Sequence, residues 1–317
     1  MSNSGNAIKL NDNDSYDKLN LVYSLKKNVE RIFNLDLTDD DEDLKYCFKA
    51  LIFDDYVFNI LSPILKVIII KLILFNFYFI LFNFYLKIYT LREFNITMHM
   101  NIKDKRERVG DVMAIYIINP TDENLKILKN DLEKSIFDNF FINFVEKIDE
   151  QKMQNFFSSL IQTDKYNRIY KIMVNPLGFN LYHPRVFSLN IKDSYTLLNS
   201  PNVKDEDINL YFEKIGNGIF DMLFATRTIP IIKFRGGFAD QIVEIIQKRF
   251  YDTFEKFPEL KEEFSKKNST LLTIVDRDLD LPIMFHHSAS LGSMIHDVFG
   301  ITRSKSSGSK LKNIKKI

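Results

Sequence analysis

Asp276-Arg-Asp-Leu-Asp280 places three carboxylates within five residues, with His286 and His287 close behind. The run ahead of it, Thr270-Leu-Leu-Thr-Ile-Val-Asp276, reads as a buried strand ending on an acid. Carboxylates after such a strand are where α/β proteins hold metals or phosphate. One chemistry this suggests is Mg²⁺-dependent phosphoryl transfer on Asp276 and Asp278. Phosphotransferases that use such an acid want Thr or Val two residues after the second Asp, where this chain has Asp280. A metal centre would need His287, His296 and one of the acids to meet, which their spacing does not itself provide. The competing role is structural: strand-end hydrogen bonding and capping of the next helix.

Gly216-Asn-Gly218 and Arg235-Gly-Gly237 are the glycine clusters, and neither has the spacing of a dinucleotide fingerprint or a P-loop. Arg235-Gly-Gly237 opens a helix after a strand, so an anion could sit there, against the simpler role of a tight turn. Cys47 precedes an apolar run and reads as a small buried hydrophobe. No nucleophile–His–acid arrangement stands out, so an enzyme is not expected, and neither a cofactor nor a resident metal.

The elements that would position these residues alternate strand and helix. Lys49–Asp54, 94–101, 111–120 and 140–145 read as buried strands; 20–33, 56–65, 121–135 and 148–161 read as helices. Thr121 is the N-cap of the third, with Asp122 and Glu123 on its positive end and Leu125, Leu128 and Leu132 on one face. The second half continues with a helix over 205–225, a strand over 228–234, a helix over 238–254 and the strand over 270–276. This alternation predicts an α/β protein: two domains built on mostly parallel sheets flanked by helices. The expected divisions are a disordered 1–19, a first domain over 20–160, a second over 161–300 and a disordered tail over 301–317.

The net charge of +1 gives no broad basic surface for nucleic acid. Only the tail is basic, with Arg303, Lys305, Lys310, Lys312, Lys315 and Lys316 and no acid after Phe299. One cysteine excludes an internal disulfide, and the polar N-terminus lacks a signal peptide's apolar region, so a cytosolic start is expected. Residues 68–89 stand apart: all are Ile, Lys, Leu, Phe, Asn or Tyr, and each can be written with A and T alone. As protein, such a run is a candidate membrane span. As translated non-coding DNA, it is an insertion over 67–90 that interrupts the first domain.

Several segments in order resemble one family, the Sec/Munc (SM) regulators of SNARE-driven fusion, and its ER–Golgi branch above all. They are KALIFDDYVFNILSPIL (49–65), LREFNITMHM (91–100), AIYIINPTDENLKILKNDL (114–132), FFINFVEKI (140–148), FDMLFATRTIPIIKFRGG (220–237) and LLTIVDRDLDLPIMFHHSASLGSMIHDVF (271–299). The last is the most specific. The chain departs from the pattern over 67–90 and after Phe299, where the family's helical third domain and the return strands of the second are not recognisable.

The resemblance implies a non-enzymatic cytosolic adaptor, monomeric and peripheral on ER and Golgi membranes through its SNARE partners. It would bind a Golgi-type syntaxin, and SNARE complexes, in vesicle docking and fusion. It also implies a pocket for the syntaxin N-terminal peptide on the first domain, at Leu125, Leu128, Lys129, Leu132 and Ile142, with Leu128 the better pocket candidate and Leu125 and Leu132 weighed against a plain core role. Two readings compete: an α/β protein anchored by a span at 68–89, and the phosphotransferase on Asp276 and Asp278. An anchored chain would put the strand at 49–54 across a bilayer from those at 95–100 and 113–119, which forbids their pairing.

Overall fold

The computed structural model describes residues 20–35, 47–66, 91–148, 150–163, 167–191, 194–265, 270–287, 290, 291 and 294. The expected disorder at 1–19, the run at 67–90, His296 and the tail at 301–317 lie outside the described residues.

The first unit is a five-stranded, all-parallel sheet in the order β2-β1-β3-β4-β5. Its strands are β1 (Phe48–Phe53), β2 (Ile96–Asn101), β3 (Val112–Ile118), β4 (Asn139–Phe144) and β5 (Ile169–Val174). The three central strands are buried on both sides, which is why they read as unbroken apolar runs rather than alternating ones.

Helices α1 (Leu21–Phe33) and α2 (Asp55–Lys66) cover one face, meeting Leu51, Ile115, Ile117 and Phe141. Helices α3 (Asp122–Glu133) and α4 (Glu150–Thr163) cover the other, meeting Ile52, Tyr116, Ile142 and Phe144. Asn20 caps α1, its Oδ1 accepting from the Val22 and Tyr23 amides. At the far end the buried Lys49 ammonium donates to the Phe33 carbonyl at 3.0 Å, placing a cation where the helix dipole is negative. Burial holds the Lys49 pKa below its usual value.

Pairing of β1 with β2 and with β3 excludes the anchored reading, because a span at 68–89 would have separated these strands. Among the described residues no helix is long and apolar enough to cross a membrane. A second correction concerns the boundary at 160/161. β5 pairs with β4, and Leu177, Phe179 and Leu181 join the core around α1 and α2. The first unit therefore runs on through a hairpin of β6 (Asn180–His183) and β7 (Val186–Ser188). β5 escapes a periodicity reading because it is an edge strand whose residues are only part-buried.

The second unit follows the short helix α5 (Ser194–Leu198). It contains α6 (Asp205–Ala225), β8 (Pro230–Arg235), α7 (Ala239–Lys256), α8 (Pro258–Ser265) and β9 (Thr270–Val275). β8 and β9 pair in parallel, and α6 and α7 pack on each other through Phe212, Phe220, Ile242, Ile246 and Phe250. The outward face of this ribbon leaves Ile231, Leu271 and Val275 exposed. The glycines of α6 mark close approaches: a Cβ on Gly216 would lie 2.6 Å from Ile245 Cγ2, and one on Gly218 would overlap Leu189.

Candidate functional site

In a doubly wound sheet the ligand crevice opens where strand order reverses, outside the carboxyl ends of the strands. Here the chain leaves β1 for β2 on one side and returns to β3 on the other, so that point lies between Asp54 and Asn119. It is filled by protein. Asp54 accepts from the Val57 amide at 2.7 Å, the Asn119 amide at 2.7 Å and Asn124 Nδ2 at 2.6 Å, while Asn124 also donates to the Asn119 carbonyl. Burial raises the Asp54 carboxyl above the usual carboxylate range, against the pull of those donors.

The acidic cluster after β9 is likewise internal. Asp276 Oδ2 accepts from the Phe238 amide at 3.2 Å and its Oδ1 from the Asp278 amide at 3.2 Å. Its carboxylate therefore occupies the anion position offered by Arg235-Gly-Gly237. Gly236 is held at φ +118°, and a Cβ there would overlap Asp276. Asp278 Oδ1 accepts the Tyr195 hydroxyl at 3.0 Å, which raises the Tyr195 pKa. His286 and His287 are exposed, and no group of three or more His, Cys, Asp or Glu could hold a metal among the described residues. Both Asp276 oxygens accept backbone amides, which is the strand-end and capping role that competes with phosphoryl transfer.

The remaining candidate is α3. Thr121 Oγ1 caps it as the sequence indicates, accepting from the Asn124 amide at 3.3 Å. Asp131 fixes its rotation: its Oδ2 accepts the Tyr116 hydroxyl at 2.9 Å and pairs with Arg106 at 2.8 Å. Arg106 also donates to the carbonyls of Asn101 and Ile102, closing the connection between β2 and β3 onto the helix. On the opposite flank Lys152 of α4 pairs with Asp122 at 3.4 Å, and Arg168 donates to the Leu132 carbonyl at 2.7 Å.

This setting separates the five sequence-derived pocket residues. Leu128, Leu132 and Ile142 have 0 % exposure and form core between α3 and β4, so they line no open pocket. Their i, i+4 and cross-layer positions point them at the sheet, which corrects the expectation that they face a ligand. Leu125, at 8 %, sits at the core's rim, and Lys129 is half-exposed on the surface beside Glu133. The half-buried Met153 and Phe157 of α4 pack against the same core, and Lys152 and Arg168 bring cations to its flank. Sequence reasoning missed these four. The amphipathic pattern of α4 carried a signal for Met153 and Phe157, whereas Arg168 depends on recognising β5.

The arrangement offers a helix flank with an apolar rim and mixed charge.

A model of the Sec1 family matches residues 49–316. Protein SLY1 of Saccharomyces cerevisiae is 31% identical over 223 residues, covering 69% of this chain and 34% of that protein. The SEC1 family transport protein SLY1 of Arabidopsis thaliana is 26% identical over 290 residues, covering 89% of this chain and 43% of the relative. Among solved structures, Sly1p in complex with an N-terminal peptide of Sed5p superposes with a TM-score of 0.66 and 26% identity, covering 86% of this chain and 43% of that one. The SM protein Vps45 in complex with the Qa SNARE Tlg2 gives 0.65 at 16% identity, over 89% of this chain and 44% of that one, a likeness of fold. The chain thus spans about a third to two fifths of the length of the curated relatives it matches.

Proposed function

Since this chain belongs to the Sec1 family, we propose that it is a non-enzymatic adaptor that binds the N-terminal peptide of a Golgi-type syntaxin and supports SNARE assembly in vesicle docking and fusion between ER and Golgi. The observation that carries this reading is the likeness to Sly1p, whose structure holds an N-terminal peptide of Sed5p. The flank of α3 has the properties such a peptide needs. Leu125 and the half-buried side chains of α4 offer an apolar anchor point, and Lys129 and Lys152 bring cations to the surface of α3 and α4. One aromatic or aliphatic anchor from the peptide would carry most of the energy. Because Leu128, Leu132 and Ile142 already fill the floor, the peptide lies over them and takes the rim.

Such an adaptor works from the cytoplasm, peripheral on ER and Golgi membranes through its SNARE. Engagement of assembled SNARE complexes belongs to the same proposal. Fluorescence anisotropy with a labelled N-terminal peptide of a Sed5-type syntaxin tests it. Binding at about micromolar Kd, weakened tenfold by Leu125→Asp or Lys129→Glu, is expected. Absence of binding up to about 1 mM would remove the reading.

A further inference from the structure

We propose that the seam between the two units is a proton-operated latch, in which Asp221 and Glu146 face each other across the backbone of Gly178. Asp221 lies on α6, is 4% exposed, and its Oδ2 accepts the Gly178 amide at 3.0 Å. Gly178 belongs to the segment that follows β5 in the first unit. A Cβ there would lie 2.6 Å from Asp221 Oδ2 and 3.9 Å from Glu146 Cγ. The missing side chain is thus what lets two acids, one from each unit, approach the same stretch of backbone.

The charged groups around this pair are few. Tyr56 of α2 donates its hydroxyl to Glu146, and burial followed by the charges of Glu146, Asp221 and Asp54 raises its pKa. Arg249 of α7 is the cation that acts on Asp221, and it is shared with Asp252. Its guanidinium stacks on Phe220 at 4.7 Å, and its Nε is buried with no hydrogen-bond partner among the described residues. A cleft of about 710 Å³ between Lys147 and Gln151 on one unit and Glu213, Lys248, Arg249 and Asp252 on the other opens beside it. Arg249, which lines that cleft, is also the cation acting on Asp221.

Burial pushes the Asp221 carboxyl up to about 7, with the Glu146 charge adding to it and the Gly178 amide and Arg249 opposing it. The folded chain therefore holds a proton at Asp221 that the unfolded chain has released above about pH 4. Stability from this group is complete below that value and is lost as pH rises towards 7. With the proton gone, two carboxylates confront each other across Gly178 and the seam loosens.

The full chain is unfolded in urea from pH 5.5 to 8.5 alongside Asp221→Asn and Glu146→Gln. Between pH 6 and 8 the wild type is expected to lose about tenfold in its folding equilibrium relative to Asp221→Asn, whose amide mimics the protonated acid. The comparison isolates this group from Asp54 and Asp131, which burial also raises. Glu146→Gln should shift the wild-type midpoint to lower pH. Carbon-13 NMR of the Asp221 carboxyl reads the titration directly in the wild type, whether or not Asp221→Asn folds. A carboxyl titrating below pH 5, a pH slope in Asp221→Asn equal to that of wild type, or a midpoint unmoved by Glu146→Gln would each overturn the proposal.

Discussion

Asn124 Nδ2 donates to Asp54 Oδ2 at 2.6 Å, joining the end of β1 to the start of α3 across 70 residues of chain. The bond closes the switch point that would otherwise be the sheet's ligand crevice. It also ties the setting of the candidate peptide-binding helix to one of the three central strands.

Removing the acceptor should therefore be costly. Asp54→Ala leaves the Val57 and Asn119 amides and the Asn124 side chain without their partner, and a loss of about 3 kcal/mol is expected in urea unfolding. Asn124→Ala should cost about 1 kcal/mol. The double variant should fall short of the sum, because both changes break the same bond.

Leu128 and Leu125 should respond in opposite ways. Leu128→Ala empties a fully buried site and is expected to destabilise by about 2–5 kcal/mol. Its effect on peptide affinity, measured where the chain is still folded, should be small. Leu125→Ala should cost less stability and more affinity, about tenfold in Kd by anisotropy. A Leu128→Ala chain that keeps its stability but loses peptide would put the pocket back in the core.

The buried Arg106–Asp131 pair should be asymmetric to mutation. Tyr116→Phe removes one donor and leaves Asp131 paired, so about 1 kcal/mol is expected. Arg106→Met strands a carboxylate that burial already raises, and about 3–5 kcal/mol should be lost near neutral pH. That loss should shrink as the pH falls and Asp131 takes up a proton.

Gly216→Ala and Gly218→Ala should destabilise α6, although alanine is the better helix former by about 1 kcal/mol. Their Cβ atoms would press on Ile245 and Leu189. Thermal melting that rose in either variant would show that these neighbours yield.

How much of this was legible in the sequence follows from burial. β1, β3, β4 and β9, α1 and α3 were readable because each presents a continuous apolar run or a clear helical face, and Thr121 announces its helix. β5 and the β6–β7 hairpin were not, since their half-exposed residues carry no clean period. α8 is obscured in the sequence by its charge, and the packing of Phe264 against Phe250 and Phe254 is what makes it part of the core. The site was harder still. Leucines at 125, 128 and 132 share one helical stripe, and only the rotation set by Asp131 decides which of them meets solvent. The role of Asp276 needed the third dimension, because its partner amide is 38 residues away.

β1 sits between β2 and β3 and makes both pairings itself, so beyond spanning the two ends the sheet places no upper demand on the length of chain between α2 and Leu91. Loop-closure entropy grows only logarithmically, by about 0.6 kcal/mol for each doubling of a flexible loop. Replacing the 24 residues between Lys66 and Leu91 with any linker long enough to span the two ends should leave the strands in the same register. The domain is in this sense permissive at that junction: it can carry an added segment, or be relieved of one, without its architecture recording the difference.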